Sequence, residues 1–428
     1  MTWLLGMFVL LPVEVVNLPF NMSMVDMWTV VLLPLVWLSV PRGKQVISLY
    51  YTVPMLLILI GSFASTIAAP APRNGLVVVL KEVFAYIWFI TLTLALVRLS
   101  GKDFHHILVV WGAVVLIHGL LIVAQFLSPQ LWQFTAEYIG RGEGYEIYRP
   151  SGVMSNANAA ALFQLLGFVP LVLARPARKK GAALGLVLLG TMMATGSMGS
   201  VLSFATGTLV ALAALGIKGH LKTIAKLLAR TAAVGALFGA LLFLVISQSA
   251  RYQMHLQRIL LGRAERSSES RFDLWQRGFE VFVENNVFLW GVGPENFRVV
   301  DGNDNQLHND FLAFTVERGL ISTLGLGLFA GFAMLRAVNI FLIAERRPGD
   351  EARLVVLVLL AAMVAAFVYS LTHQVFHNRQ LWMILGLQEA IYFRLMTSAS
   401  EPEESMAIQN PAGELGSRFA LLSRIEKA

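Results

Sequence analysis

The residues best equipped for chemistry lie in the second half of the chain. Gly291-Val-Gly-Pro-Glu-Asn-Phe297 leads through a polar stretch with Asp301 and Asp304 to His308-Asn309-Asp310, which opens an apolar run. Glycines allow close backbone approach to a ligand. A histidine at a helix start near an interface titrates near neutral pH and is suited to be a general base. The stretch leading up to it holds Arg251, Arg258, Arg263, Arg266, Arg271, Arg277 and Arg298, and no lysine. Arginine forks onto phosphate oxygens through paired hydrogen bonds and does not deprotonate. Bulk lipid phosphates account for most of such arginines, which leaves one or two for a specific anion.

Other ionisable residues are unevenly placed. Glu14, Lys81, Glu82, Glu317 and Arg318 fall near one end of their apolar runs, the end shared with the arginine-rich stretch. Buried ionisable groups in a membrane mark a site or a pathway. Crowding at one end points to a reaction at the membrane boundary, whereas a transport path would place such groups near the midplane. His118 is the exception, in the middle of its run, and reads as hydrogen-bonded structure. Asp301, Asp304 and Asp310 have the oxygens a divalent cation takes. With no Asp-x-Asp pair, and with arginines available for charge, no metal and no cofactor is expected. Cysteine is absent, which excludes disulfides and thiolate chemistry.

These residues have to be positioned by membrane helices. The chain is 428 residues long, 57% hydrophobic and only 14% charged, too apolar for a water-soluble domain. Apolar runs of roughly 17–25 residues recur, each long enough to cross a hydrocarbon core. Backbone groups must pair internally in lipid, so these runs are helices. The spans read as 3–20, 27–40, 46–69, 75–98, 104–127, 156–174, 181–196, 198–217, 224–248, 311–343, 352–373 and 379–396. The expected fold is an all-α polytopic membrane protein of about twelve helices. Residues 1–396 would form one transmembrane domain and 397–428 a cytoplasmic tail. The first run lacks a basic start and a cleavage site, and reads as a retained helix.

Basic residues set the orientation. Arg42 and Lys44, Arg98 and Lys102, Arg175 to Lys180, Lys218 to Lys226, and Arg346 to Arg353 fall on one set of loops. The alternate set holds Arg73, Arg141, Arg149 and Arg379. The first set is therefore cytoplasmic, with both termini. The net charge of +7 reflects topology and contact with membrane lipids, not nucleic acid. Two extracytoplasmic loops are long, 128–155 and 249–310, the second between helices nine and ten. Trp275, Phe279 and Phe282 in it have helical spacing, with Ser270 or a preceding serine as cap. An amphipathic helix is expected there, on the membrane surface or folded over the bundle.

Three segments together resemble the O-antigen ligase and polymerase superfamily of bacterial envelope glycosyltransferases. His308-Asn309, nine residues, then Gly319-Leu320-Ile321-Ser322 resembles the family's histidine pattern, with Ser322 a small-residue variant of its last position. Arg271-Phe-Asp-Leu-Trp275, Gly291-Val-Gly293 and Asn296-Phe297 resemble the approach to that histidine. Arg149-Pro-Ser-Gly152 and Asn156-Ala-Asn158 resemble a motif at a helix start. Where family members often carry Gly-Ser-Arg-Gly, this chain has Gly196-Ser197-Met198-Gly199, one positive charge fewer. Arg149 or an arginine of the long loop would compensate.

The resemblance implies a bacterial inner-membrane enzyme. It would move a glycan from undecaprenyl pyrophosphate to an acceptor hydroxyl on the periplasmic face. The acceptor is lipid A-core in a ligase and another lipid-linked repeat unit in a polymerase; the histidine pattern favours ligase. His308 and Arg271 would be catalytic. Arg149, Arg271, Asn309, Gly291, Gly293, Asn296 and Glu317 would bind pyrophosphate or glycan. The competing readings are a transporter, which would show two related halves, a lipid-linked glycan flippase, and a structural scaffold.

Overall fold

The computed structural model describes residues 2–13, 23–39, 49–138, 149–174, 187–217, 262–285, 287–302, 306–345 and 350–397. The expected span 224–248, the tail from 398, Glu14, Arg141, Asp304, Arg251 and Arg258 lie outside these residues, as do most residues of the basic loops. The described residues are helical and contain no strand.

In chain order the helices are α1 (Thr2–Leu10), α2 (Met24–Ser39), α3 (Thr52–Ala68), α4 (Pro72–Val97), α5 (Gly101–Leu127), α6 (Pro129–Tyr138) and α7 (Ala157–Leu173). Then come α8 (187–194), α9 (Met198–Ile217), α10 (Gly262–Glu284), α11 (Phe297–Asp301), α12 (Asp310–Glu345), α13 (Asp350–Ser370) and α14 (Arg379–Thr397). Three of them, α4, α5 and α12, are long and apolar enough to cross a membrane, and α3, α7, α9 and α13 contain shorter apolar helices. The protein is an integral membrane protein.

Local chemistry sets the helix ends. Pro72 opens α4, where its missing N–H costs nothing. Ser100 caps α5 by accepting from Asp103 N at 3.1 Å. Asn156 caps α7 by accepting from Asn158 N at 2.7 Å. Three expectations need correction. Within the run 3–20 the first helix ends at Leu10, because Pro12 cannot continue the ladder and disfavours helix in the residue before it, and residues 14–20 lie outside the described residues. The run 311–343 is broken at Gly319, whose φ of 73° and ψ of −179° lie outside helical space. The helix of the long loop starts at Gly262, so Ser270 and the serines just before it, Ser267 and Ser268, fall inside the helix and not at its start. Serine costs a helix interior only a few tenths of a kcal/mol, so the serine-rich stretch is carried within α10.

Small residues close the helix pairs. A Cβ on Gly61 of α3 would sit 2.3 Å from Ser322 Oγ of α12, and that hydroxyl donates to Ile58 O at 2.9 Å. Gly207 of α9 meets Ala361 O of α13, and Gly167 of α7 meets Val115 of α5. Helices in lipid associate by such close packing, since lipid is as apolar as leucine. Ser322 is thus a packing residue.

The long-loop helix folds over the bundle. Leu274, Gly278, Val281 and Phe282 are buried, and this stripe packs on Leu307, Phe297 and the start of α12. The expected Trp275–Phe279–Phe282 face is only partly the buried one, because Phe279 is 61% exposed with Phe272 and Val283. The helix therefore carries two apolar stripes, one against the protein and one facing outward.

Candidate active site

His308, Arg271 and Arg149 come together at one end of the bundle. Arg149 stands before α7, donating from Nε to Thr195 O at 3.1 Å and from a terminal nitrogen to Asn158 Oδ1 at 2.8 Å. Arg271 enters from α10, and its guanidinium lies 3.4 Å from His373 Nε2. It is the tenth residue of the helix that starts at Gly262, so no helix-start dipole assists it. His308 precedes α12 with φ of 50°, a conformation that costs a non-glycine residue about 1 kcal/mol or more. That backbone is held on both sides. Trp275 Nε1 donates to Leu307 O at 2.9 Å, and Asn309 Oδ1 caps α12 by accepting from Leu312 N at 3.1 Å.

Sequence reasoning missed two members of this group. His373, in the connection between α13 and α14, is buried, and its ring stacks on Tyr369 with centroids 4.3 Å apart. The Tyr369 hydroxyl donates to Asn158 O at 2.9 Å and lies 3.1 Å from Ser197 Oγ. A Cβ on Gly199 would stand 2.9 Å from His373 Cε1. The Gly196–Gly199 motif thus lies against His373, while Met198 itself is half exposed. A readable signal existed: Thr372-His-Gln-Val-Phe-His377 is a polar run with two histidines, at the end of an apolar helix that returns to the side of His308.

Charge is unbalanced here. Among the described residues no carboxylate pairs with Arg271, whereas Arg277, Arg298, Arg318, Arg336 and Arg379 each have one. Burial lowers the Arg271 guanidinium from its ordinary value. Burial, then the charges of Arg271 and Arg298, lower the His308 imidazole below 6.5. Burial, Arg271, His308 and Arg149 hold His373 well below that value. At neutral pH both imidazoles are therefore neutral beside two guanidinium groups. Among the described residues the His308 imidazole has no hydrogen-bond partner. It is a neutral base beside two cationic side chains.

The remaining predicted residues form a brace beside this group. Val292 N donates to Val316 O at 3.0 Å, Gly293 N to Glu317 O at 2.7 Å, and Leu320 N to Phe288 O at 2.9 Å. The Gly291–Gly293 segment docks in this way across the break in α12. A Cβ on Gly291 would lie 2.3 Å from the Glu317 carbonyl carbon, and one on Gly319 2.1 Å from Leu289 O. Asn296 is buried and clasps the start of α4, accepting from Ala71 N at 2.8 Å. The Glu317 carboxylate takes the N–H groups of Glu295 and Phe297.

A second charged cluster adjoins the brace. Glu82 Oε1 lies 2.6 Å from Arg318 and 3.2 Å from His377 Nε2, with both members of the ion pair buried. Of the aspartates considered for a metal, Asp301 pairs with Arg277 at 3.6 Å, and Asp310 accepts from Val375 N at 2.8 Å and Phe376 N at 3.1 Å. His118 is buried against Gly152, with Nδ1 3.0 Å from Gln164 Nε2, as its structural reading expects.

Fold and site together describe an integral membrane protein, helical in its described residues, that gathers two arginines and two neutral histidines at one end. Residues 182–327, which are less than half of the chain, match the family model for O-antigen ligase, and this stretch is what the chain shares with that family. It includes Ser197, Arg271, the brace and His308, while Arg149, Tyr369 and His373 lie outside it. No curated protein matches the chain.

Proposed function

We propose that the protein transfers a glycan from undecaprenyl pyrophosphate to an acceptor hydroxyl at the periplasmic face of the bacterial inner membrane, as an O-antigen ligase using lipid A-core. Both termini and the basic loops lie on the cytoplasmic side. The observation that carries the reading is Arg271: half-buried, without a carboxylate partner among the described residues, and beside a neutral His308. A cation left unneutralised in a partly dry site is costly unless an anion completes it.

The chemistry follows from the groups present. The acceptor oxygen attacks the anomeric carbon as His308 takes its proton. The bond from that carbon to the pyrophosphate oxygen breaks, and undecaprenyl pyrophosphate leaves with the bonding electrons. Arg271 and Arg149 meet the charge that develops there. One displacement inverts the anomeric centre. Glu317, Asn309, Gly291, Gly293 and Asn296 hold the base and the arginines in register, and the exposed edges of these segments contact glycan.

The test is transfer in proteoliposomes, with chelator present, offering donor with lipid A-core or donor alone. Product only with lipid A-core, lost in His308→Ala, is the expected result. Chain growth from donor alone would make the protein a polymerase, the second reading, which uses the same donor. Full activity in His308→Ala would sink the assignment of the base.

A further inference from the structure

Arg271 needs an orientation as well as a charge, and its only described polar partner is His373. A guanidinium has donors and no acceptor, so His373 Nε2, 3.4 Å away, is the unprotonated ring nitrogen. The ring proton then sits on Nδ1, which lies 3.0 Å from Thr372 Oγ1. This tautomer follows from the partners on both sides of the ring. The imidazole has little freedom to turn. Tyr369 stacks on it, with planes 13° apart, and Gly199 closes against its edge. Tyr369 is in turn fixed to Asn158 O of α7 and Ser197 at the start of α9. The clamp therefore joins α7, α9 and α13 beneath a residue of α10.

We infer that His373 is a positioning residue: a clamped, neutral imidazole whose Nε2 lone pair aims the Arg271 guanidinium at the pocket while leaving its charge available to a phosphate-bearing ligand. A carboxylate in the same place would aim the arginine equally well and would cancel its charge, as Glu82 does for Arg318. A hydrophobic residue would preserve the charge and lose the aim. Imidazole held in one tautomer supplies both. The groups facing it are Arg149, Arg271 and His308, none of them acidic. The inference rests on the proposed function only in taking the ligand to be a pyrophosphate.

The experiment measures inorganic pyrophosphate binding to the full chain in detergent, with ligand-free melting as the control for folding. His373→Phe keeps a ring against Tyr369 and removes the acceptor, and binding is expected to weaken about tenfold, the scale of one hydrogen bond to a charged group. His373→Gln returns an acceptor near the Nε2 position and recovers most of that loss. His373→Glu neutralises Arg271 and weakens binding at least as much as His373→Phe. Arg271→Ala/His373→Phe is expected to bind no worse than Arg271→Ala alone, because a positioning residue has nothing left to position. Wild-type binding in His373→Phe, or additive losses in the double variant, would overturn the inference. Should His373→Phe fail to melt cooperatively, the contrast between His373→Gln and His373→Glu carries the test. A wild-type chain that shows this binding pattern and transfers no glycan sinks the transferase reading and leaves the His373 assignment standing. A flat pattern in a chain that does transfer sinks the His373 assignment alone.

Discussion

Two arginine–histidine clusters stand at the same end of the bundle, and they differ by one carboxylate. Arg318 and His377 share Glu82, with Arg318 2.6 Å from Glu82 Oε1 and the guanidinium 3.8 Å above the Phe314 ring. Among the described residues Arg271 and His373 share no acid, and a second imidazole, His308, stands in the same field. Both clusters lean on the connection between α13 and α14, through histidines four residues apart. In the first, every charge is answered within the protein, and the cluster ties α4 to α12. In the second, the answer is left for a ligand. A buried ion pair fastens helices, while an unanswered guanidinium beside a neutral base is a receptor.

The largest effect should come from the base. His308→Ala is expected to lower transfer by about a thousandfold, in the range of a general base, without changing melting in detergent. Comparable transfer in the variant would show the pocket to be a binding site only. Next comes the tie. Glu82→Gln strands a buried guanidinium and is expected to cost about 3–5 kcal/mol of stability. Arg271→Gln should leave melting unchanged or raise it, because it removes a cation that has no counter-charge among the described residues. If melting instead fell for Arg271→Gln and held for Glu82→Gln, the two clusters would have been assigned the wrong way round.

On activity the contrast runs the other way. Arg271→Gln is expected to lower transfer by about a hundredfold, as the loss of one group that meets developing charge does elsewhere. Arg149→Gln should cost less, since its guanidinium already serves Asn158 and Thr195 and offers fewer donors to a ligand. Equal losses would make Arg149 a full partner in the charge site, and rates measured with saturating donor would separate binding from the transfer step.

What the sequence made legible was residue type and rough position. His308, Arg271 and Arg149 stand out because a base and planar cations are rare beside apolar runs, and all three meet. The division between 181–196 and 198–217 was drawn from hydropathy alone, and α8 and α9 part there, at Gly196 and Ser197. Less was legible about what each residue does. Gly291, Gly293 and Asn296 looked like ligand contacts, yet their backbone and side-chain bonds go to α12 and Ala71, a partner 225 residues from Asn296. His373 lies 102 residues from Arg271, and nothing local in the chain announces that pairing. The break at Gly319 was hidden in an apolar run, because hydropathy records burial and not φ.

The smallest effect is the most specific, and it concerns pH. His308 has a folded pKa below 6.5, lowered first by burial and then by Arg271. Its neutral, proton-accepting form therefore persists below pH 6.5, and the acid limb of kcat/KM, which reports the free enzyme, should fall beneath that value. The stability consequence has the opposite character. Between the folded and unfolded pKa the unfolded chain binds more protons, so this residue withdraws stability as pH drops through 6.5. Arg271→Gln removes one of the charges that lower the histidine, so the acid limb should move upward by a fraction of a pH unit at an effective dielectric near 20. Glu82→Gln should leave the limb where it is, since Glu82 is not among the charges that shift His308. A limb that moves in Glu82→Gln and stays fixed in Arg271→Gln would mean that the titrating base belongs to the Glu82 cluster, with His377 in the place assigned to His308.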